Sequence, residues 1–202
     1  MASLASVTLE VDDPTAAERF YSAAFGLGPE LRVRASEAPT TGFRGFTLSL
    51  TVSGPATVDG FIDAALDAGA SPVKPATKSF WGYGGVVRAP DGSLWKIATS
   101  AKRDKSPATR EIDQFVLLLG VDDVVASKHF YVEQGLTVGK SYGRKYVDFD
   151  TAPSPVKLGL YGRPALAKDA GVSPDGTGSH RLVIGGDAGP FTDPDGFVWE
   201  KE

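Results

Sequence analysis

Two histidines, no cysteine, and clusters of tyrosine and tryptophan limit the chemistry open to this 202-residue chain. Without a thiol there is no thiolate nucleophile, no cysteine-bound metal and no disulfide. His129 precedes Phe130 in a helical pattern and reads as a helix-surface residue. The denser signal is aromatic. Phe80, Trp81 and Tyr83 interleave with Gly82, Gly84 and Gly85, a mixture in which rings can stack on a planar molecule and glycine lets it come close. Tyr142, Tyr146 and Tyr161 form a second aromatic group. Trp95 and Trp199 hold equivalent places in a repeat, and core packing is the expected role of both. Arg144, Lys145 and Arg163 could meet an anionic ligand, but a solvated strand face is the expected role.

The elements that must carry these side chains come in two matching sets. Asp12-Asp13-Pro14 runs through a helical pattern to Phe20-Tyr21 and Gly26, and Asp122-Asp123 runs likewise to Phe130-Tyr131 and Gly135. Each half also closes on a turn and a strand: Pro90-Asp91-Gly92 before Leu94-Trp95-Lys96, and Asp193-Pro194-Asp195-Gly196 before Phe197-Val198-Trp199-Glu200. Such self-similarity means one architectural plan used twice. Val7, Leu9 and Val11 alternate with polar residues, as do Phe46, Leu48, Leu50 and Val52, the period of half-buried strands. Ala16, Ala17, Phe20 and Ala24 share one helical face, and Val58 to Ala68 is a second helix. Phe115 to Leu119 is apolar enough for a central strand buried on both faces. Ala165 to Ala170 suggests a short helix and His180 to Ile184 a strand, after which one helix of the repeat is missing. The polar run Ala101 to Arg110 reads as a linker.

Composition narrows the partners. The net charge of −4 lacks any long basic run, which argues against a nucleic-acid groove. No apolar run is long enough for a membrane helix and no secretory segment is evident, so a cytoplasmic protein is expected.

Strand, helix, then several strands ending after a Pro-Asp-Gly turn, present twice, resembles the vicinal oxygen chelate superfamily. This is the glyoxalase, bleomycin-resistance and extradiol-dioxygenase group. The matching residues are Val7 to Val11 with Asp13, Phe20-Tyr21 and Pro90-Asp91-Gly92, then Leu117 to Val121 with Asp123, Phe130-Tyr131 and Asp193 to Gly196. The resemblance implies an α+β fold of tandem βαβββ modules whose curved mixed sheets enclose a cavity. Residues 1–100 would form one glyoxalase-like domain, 101–110 a linker and 111–202 a second domain with a shortened last module.

It also implies where a metal would bind: on the first and last strands of paired modules. In the first half those places carry Ser6, Thr47 and Lys96, two hydroxyls and a cation, which do not suit a divalent ion. In the second half Val116 and Gly159 offer no donor, while His180 and Glu200 could begin an incomplete site. The expected function is therefore metal-free binding of a small, planar or aromatic molecule, of the sequestration or resistance type. Phe80, Trp81, Tyr83, Tyr142, Tyr146 and Tyr161 are its candidate contacts. The alternative is a lyase, isomerase or dioxygenase with a divalent metal on His180 and Glu200. No other cofactor is expected, and the chain is either a monomeric pseudo-dimer or a homodimer.

Overall fold

A computed structural model describes residues 3–80, 82–105 and 107–202. The first half runs β1 (Leu4–Val11), α1 (Pro14–Ala24), β2 (Leu31–Ala35), a short β3 (Thr40–Gly42), β4 (Phe46–Thr51), α2 (Pro55–Asp67), β5 (Ser71–Ser79), β6 (Gly82–Arg88) and β7 (Leu94–Thr99). The second runs β8 (Gln114–Val121), α3 (Val124–Glu133), β9 (Thr137–Ser141), β10 (Tyr146–Asp150), β11 (Val156–Gly162), α4 (Arg163–Ala170), β12 (Gly176–Gly178), β13 (Leu182–Gly186), β14 (Phe191–Thr192) and β15 (Val198–Lys201).

Equivalent local signals start the two equivalent helices. Asp13 accepts the Ala16 amide at 3.0 Å, with Pro14 at the first helical position of α1. Asp123 accepts the Val125 and Ala126 amides at 2.8 and 3.2 Å. Those bonds hold its carboxyl below the usual range.

Strands from both halves share each large sheet. The eight-stranded sheet has the order β5-β6-β7-β4-β8-β11-β10-β9, a mirrored arrangement in which the first strands of two modules, β4 and β8, meet antiparallel at the centre. The five-stranded sheet, β14-β15-β13-β1-β2, joins the beginning of the chain to its end. A small arm pairs β3 with β12. His180 falls outside the expected strand: β13 begins at Leu182, and Arg181 before it has φ +50°.

The main core lies on one face of the eight-stranded sheet, where Leu48, Leu50, Trp95, Ile97, Leu117, Leu119, Leu158 and Leu160 are enclosed. Helix α2 packs there on β6 and β7, and α3 on β10 and β11. The Trp95 ring stacks on Phe115 at 5.8 Å, and burial of such large rings supplies much of the apolar driving force. The alternate residues of the same strands form the inner face, away from α2 and α3. A second apolar cluster lies on that face. Leu166, Ala167 and Ala170 of α4 are buried there with Phe43 and Leu94, beside Leu118 and Tyr161. Helix α4 therefore lies across the inner face of the sheet.

Candidate functional site

The inner face can be built row by row from the strand registers. Lys96 pairs with Ser49 and Ser49 with Val116, while Thr47 pairs with Leu118 and Leu118 with Gly159. Thr47, Lys96, Val116 and Gly159 thus meet on one sheet instead of dividing between two half-sites, because the second module of the first half pairs with the first module of the second. Their chemistry does not fit a divalent ion: a hydroxyl, an ammonium, an isopropyl group and no side chain at all. Lys96 extends to Asp169 of α4, Nζ to Oδ2 at 2.6 Å. Lys74 reaches the same helix by donating to the Asp169 carbonyl at 3.2 Å. Asp169 had no counterpart in the sequence reading, since nothing in the sequence joins it to Lys96. Beside Lys96, the Ser49 hydroxyl is buried without a partner among the described residues.

Around this ion pair a recess of about 210 Å³ remains between α4 and strands β5 to β7, lined in part by Lys74, Thr77, Gly84, Lys96, Thr99 and Asp169. Its glycines admit close-packed neighbouring chain. A methyl on Gly84 would lie 2.7 Å from the Ile97 carbonyl, and one on Gly85 would meet Ala76 and Ile62 at 2.9 Å.

The six expected aromatic contacts separate. Tyr146 and Tyr161 face each other on the inner face, ring centroids 4.8 Å apart, and Tyr142 stacks on Tyr146 at 6.0 Å. The Tyr146 hydroxyl donates to Asp148 at 3.1 Å. Burial, then the Asp148 charge, pushes its phenol well up, and burial also raises that of Tyr161. Tyr142 is 63 % exposed at the open end of this ladder. Tyr83 points the other way and donates to Asp59 of α2 at 2.7 Å, on the helix-covered face. Phe80 is exposed at the turn between β5 and β6, with the Lys102 ammonium 5.6 Å above its ring. Trp81 lies outside the described residues.

His180 and Glu200 do not form one site. Gly185, not His180, stands opposite Glu200, which leaves five residues of chain, roughly 16 Å at strand rise, between the two positions. The His180 nitrogens face the Arg44 carbonyl at 2.5 Å and the Asp195 carbonyl at 3.0 Å, and the ring stacks on Phe197 at 4.0 Å. In either tautomer, neither nitrogen turns toward Glu200. Glu200 instead accepts from Arg34 at 2.9 Å, and Arg34 also binds Glu10 at 2.8 Å. Ser6 shares that sheet and donates to Glu202 at 2.8 Å, while Arg32 pairs with Glu202. Among the described residues, no group of three or more acidic or imidazole side chains is arranged to hold an ion. His129 is exposed on α3, as are Arg144 and Lys145 in the turn before β10. Arg163 is spent on backbone, donating to the Phe43 carbonyl at 2.6 Å and to that of Pro174 at 3.1 Å.

The repeated phrases lock to one another inside each half. Tyr21 of α1 donates to Asp91 at 2.9 Å and lies 2.9 Å from the Ser93 hydroxyl, which also receives the Trp95 indole N–H at 3.0 Å. Tyr131 of α3 donates to Asp193 at 2.6 Å and receives the Trp199 indole N–H at 3.3 Å. Burial pushes both phenols far above their ordinary value, with the adjacent carboxylate adding to the shift. Burial likewise raises the Asp193 carboxyl, against the opposing effect of the Tyr131 hydroxyl and the Phe197 amide. These motifs hold helices to closing strands.

A duplicated α+β chain, with modules paired across its halves around an inner face, defines a class of fold. Its backbone is similar to that of glyoxalase I from Zea mays at a TM-score of 0.64, with 15% identity, covering 100% of this chain and 92% of that one. It is also similar to a putative dioxygenase from Bacillus subtilis subsp. subtilis str. 168 at a TM-score of 0.55, with 11% identity, covering 91% of this chain and 69% of that one. No protein-family model matches the sequence, and no curated protein matches it. The chain has the vicinal oxygen chelate fold, the glyoxalase, bleomycin-resistance and dioxygenase architecture. No helix among the described residues is long and apolar enough to cross a membrane.

Proposed function

We propose that this chain is a binding protein on a glyoxalase scaffold, holding a small planar molecule against the inner face of the eight-stranded sheet without a divalent metal. The observation that carries this reading is the Lys96–Asp169 pair. The chain sets its own ammonium at a place where the fold family would supply a metal-binding carboxylate, and α4 covers the adjoining row. With the Asp169 carboxylate engaged by Lys96, the remaining neighbours offer no free anionic donor to a divalent ion. What the face does offer is a tyrosine ladder with one open ring, Tyr142, and supported rings at Tyr146 and Tyr161. Stacking on such rings contributes about 0.5–1.5 kcal/mol per pair beyond the area buried.

The test is a titration of the full chain with a panel of planar aromatic compounds, followed by tyrosine ring resonances in NMR. Saturable shifts at Tyr142 and Tyr146, weakened in Tyr142→Ala, are expected. A panel that leaves those rings unmoved, or moves them equally in Tyr142→Ala, would overturn the reading.

A further inference from the structure

A second recess, of about 200 Å³, lies where the β3–β12 arm, the turn before β7 and the segment after α4 converge. It shares no lining residue with the recess beside Lys96. Phe43, Phe46, Leu94 and Val172 supply apolar walls, and Arg44, Arg88 and Asp175 supply charge. Among the described residues neither arginine has an ion pair. Arg44 donates through Nη2 to the Asp91 carbonyl, while its Nη1 is buried with no partner among the described residues. Among the described residues Arg88 makes no side-chain hydrogen bond. Arg44 is half-buried, and the lost hydration lowers its pKa while the nearby Asp91 carboxylate offsets part of that cost. Asp175 is the opposing charge, and its carboxylate accepts the Ser173 hydroxyl at 2.7 Å. Among the lining side chains two guanidinium groups stand against one carboxylate, and the Asp91 carboxylate, outside the lining and bonded to Tyr21 and Ser93, offsets Arg44 only in part.

The walls are held independently of any ligand. His180 fixes the Arg44 carbonyl, Arg163 ties Phe43 to Pro174, and the Phe43 amide donates to the Asp175 carbonyl at 2.8 Å. His180, which is not placed to join Glu200 on a metal, braces the backbone that carries Arg44.

We infer that this recess is a binding site for a small carboxylate with a compact apolar body, its charged end against Arg44 and Arg88 and its body against Phe43 and Leu94. Planar guanidinium groups match a carboxylate in geometry, and charge-assisted bonds of this kind are the strong ones. The volume lies below the roughly 300–1,000 Å³ of sites for drug-sized ligands, which selects a small acid over an extended molecule. The inference goes beyond the function proposed above and does not require the tyrosine ladder.

The experiment uses the full chain, titrated calorimetrically with benzoate, with its neutral analogue benzamide and with inorganic phosphate. Benzoate should bind in the millimolar range or tighter, with benzamide and phosphate each weaker by about tenfold or more. Arg88→Gln should weaken benzoate by about tenfold and leave benzamide unaffected. His129→Ala, exposed on α3 and outside both the recess and the ladder, should leave benzoate affinity unchanged, while the Tyr142 ring shifts, read separately, distinguish failure here from failure of the ladder. Arg44→Gln should abolish benzoate binding if it folds; Arg88→Gln decides the matter if it does not. Absence of benzoate binding, equal affinity for benzamide or phosphate, or an unaltered Arg88→Gln protein would each overturn the site.

Discussion

Replacing Leu166 by alanine asks whether α4 is an integral part of the inner face or a surface appendage. Leu166 is fully enclosed, and a methyl on Gly120 of β8 would lie 3.3 Å from its Cδ2, so the side chain rests directly on the sheet. Truncating a fully buried leucine costs about 2–5 kcal/mol, depending on how far the surroundings collapse into the space. Here the cluster is small and borders an existing recess of about 200 Å³, which favours partial collapse and the lower half of that range, about 2–3 kcal/mol. For a chain of this size that corresponds to a Tm lower by roughly 4–12 °C. Urea unfolding followed by the fluorescence of buried Trp95 and Trp199 measures it, with exposed Lys168→Ala as a control expected within about 0.5 kcal/mol of the parent. A Leu166→Ala cost no larger than the control's would refute the placement of α4 and, with it, the enclosed inner face.

Three further outcomes follow from the same geometry. The Lys96–Asp169 pair is partly exposed, at 33% and 42%, so a double-mutant cycle with alanine at each position should give a coupling of at most about 1 kcal/mol that shrinks in salt; a salt-insensitive coupling of several kcal/mol would contradict its solvent contact. Because burial raises the Asp193 carboxyl in the folded chain, its contribution to stability is complete below the unfolded value and is lost as pH rises through the folded one. Asp193→Asn should remove that decline from the acidic limb of a stability–pH curve, and an unaltered limb would refute the sign. The Tyr21 and Tyr131 phenols should remain neutral in alkaline titration until the protein unfolds, with Tyr21→Phe and Tyr131→Phe each subtracting from the late absorbance change; loss from the early phase would mean those rings reach solvent.

The repeat made much of this architecture legible. Alternation at Val7, Leu9 and Val11, the aspartate caps and the closing turns are local signals, and they marked β1, α1, α3 and β7 close to their actual bounds. Phe115 to Leu119 read correctly as a central strand, flanked by β4 and β11. Pairing across the halves was not readable, because a register between β4 and β8 leaves no mark in either strand alone. The arm of β3 and β12 was equally silent: Thr40–Gly42 and Gly176–Gly178 carry the composition of loops. Ala165 to Ala170 did suggest a short helix, but its surface is only weakly amphipathic, so the face it would cover could not be deduced. The aromatic-glycine run does not act as one surface among the described residues, for a physical reason. Tyr83 alternates onto the α2 side, and its neighbouring glycines admit adjacent backbone. Arg44 and Arg88 lie far apart in sequence and line one recess only in the folded chain.

The most direct test of the proposed function is the metal content of the full chain after equilibration with zinc, nickel, manganese or ferrous iron and subsequent desalting. With Lys96 paired to Asp169 and Glu200 held by Arg34, retention well below one ion per chain is predicted for every metal. One tightly held equivalent, lost on Glu200→Ala or His180→Ala, would contradict it.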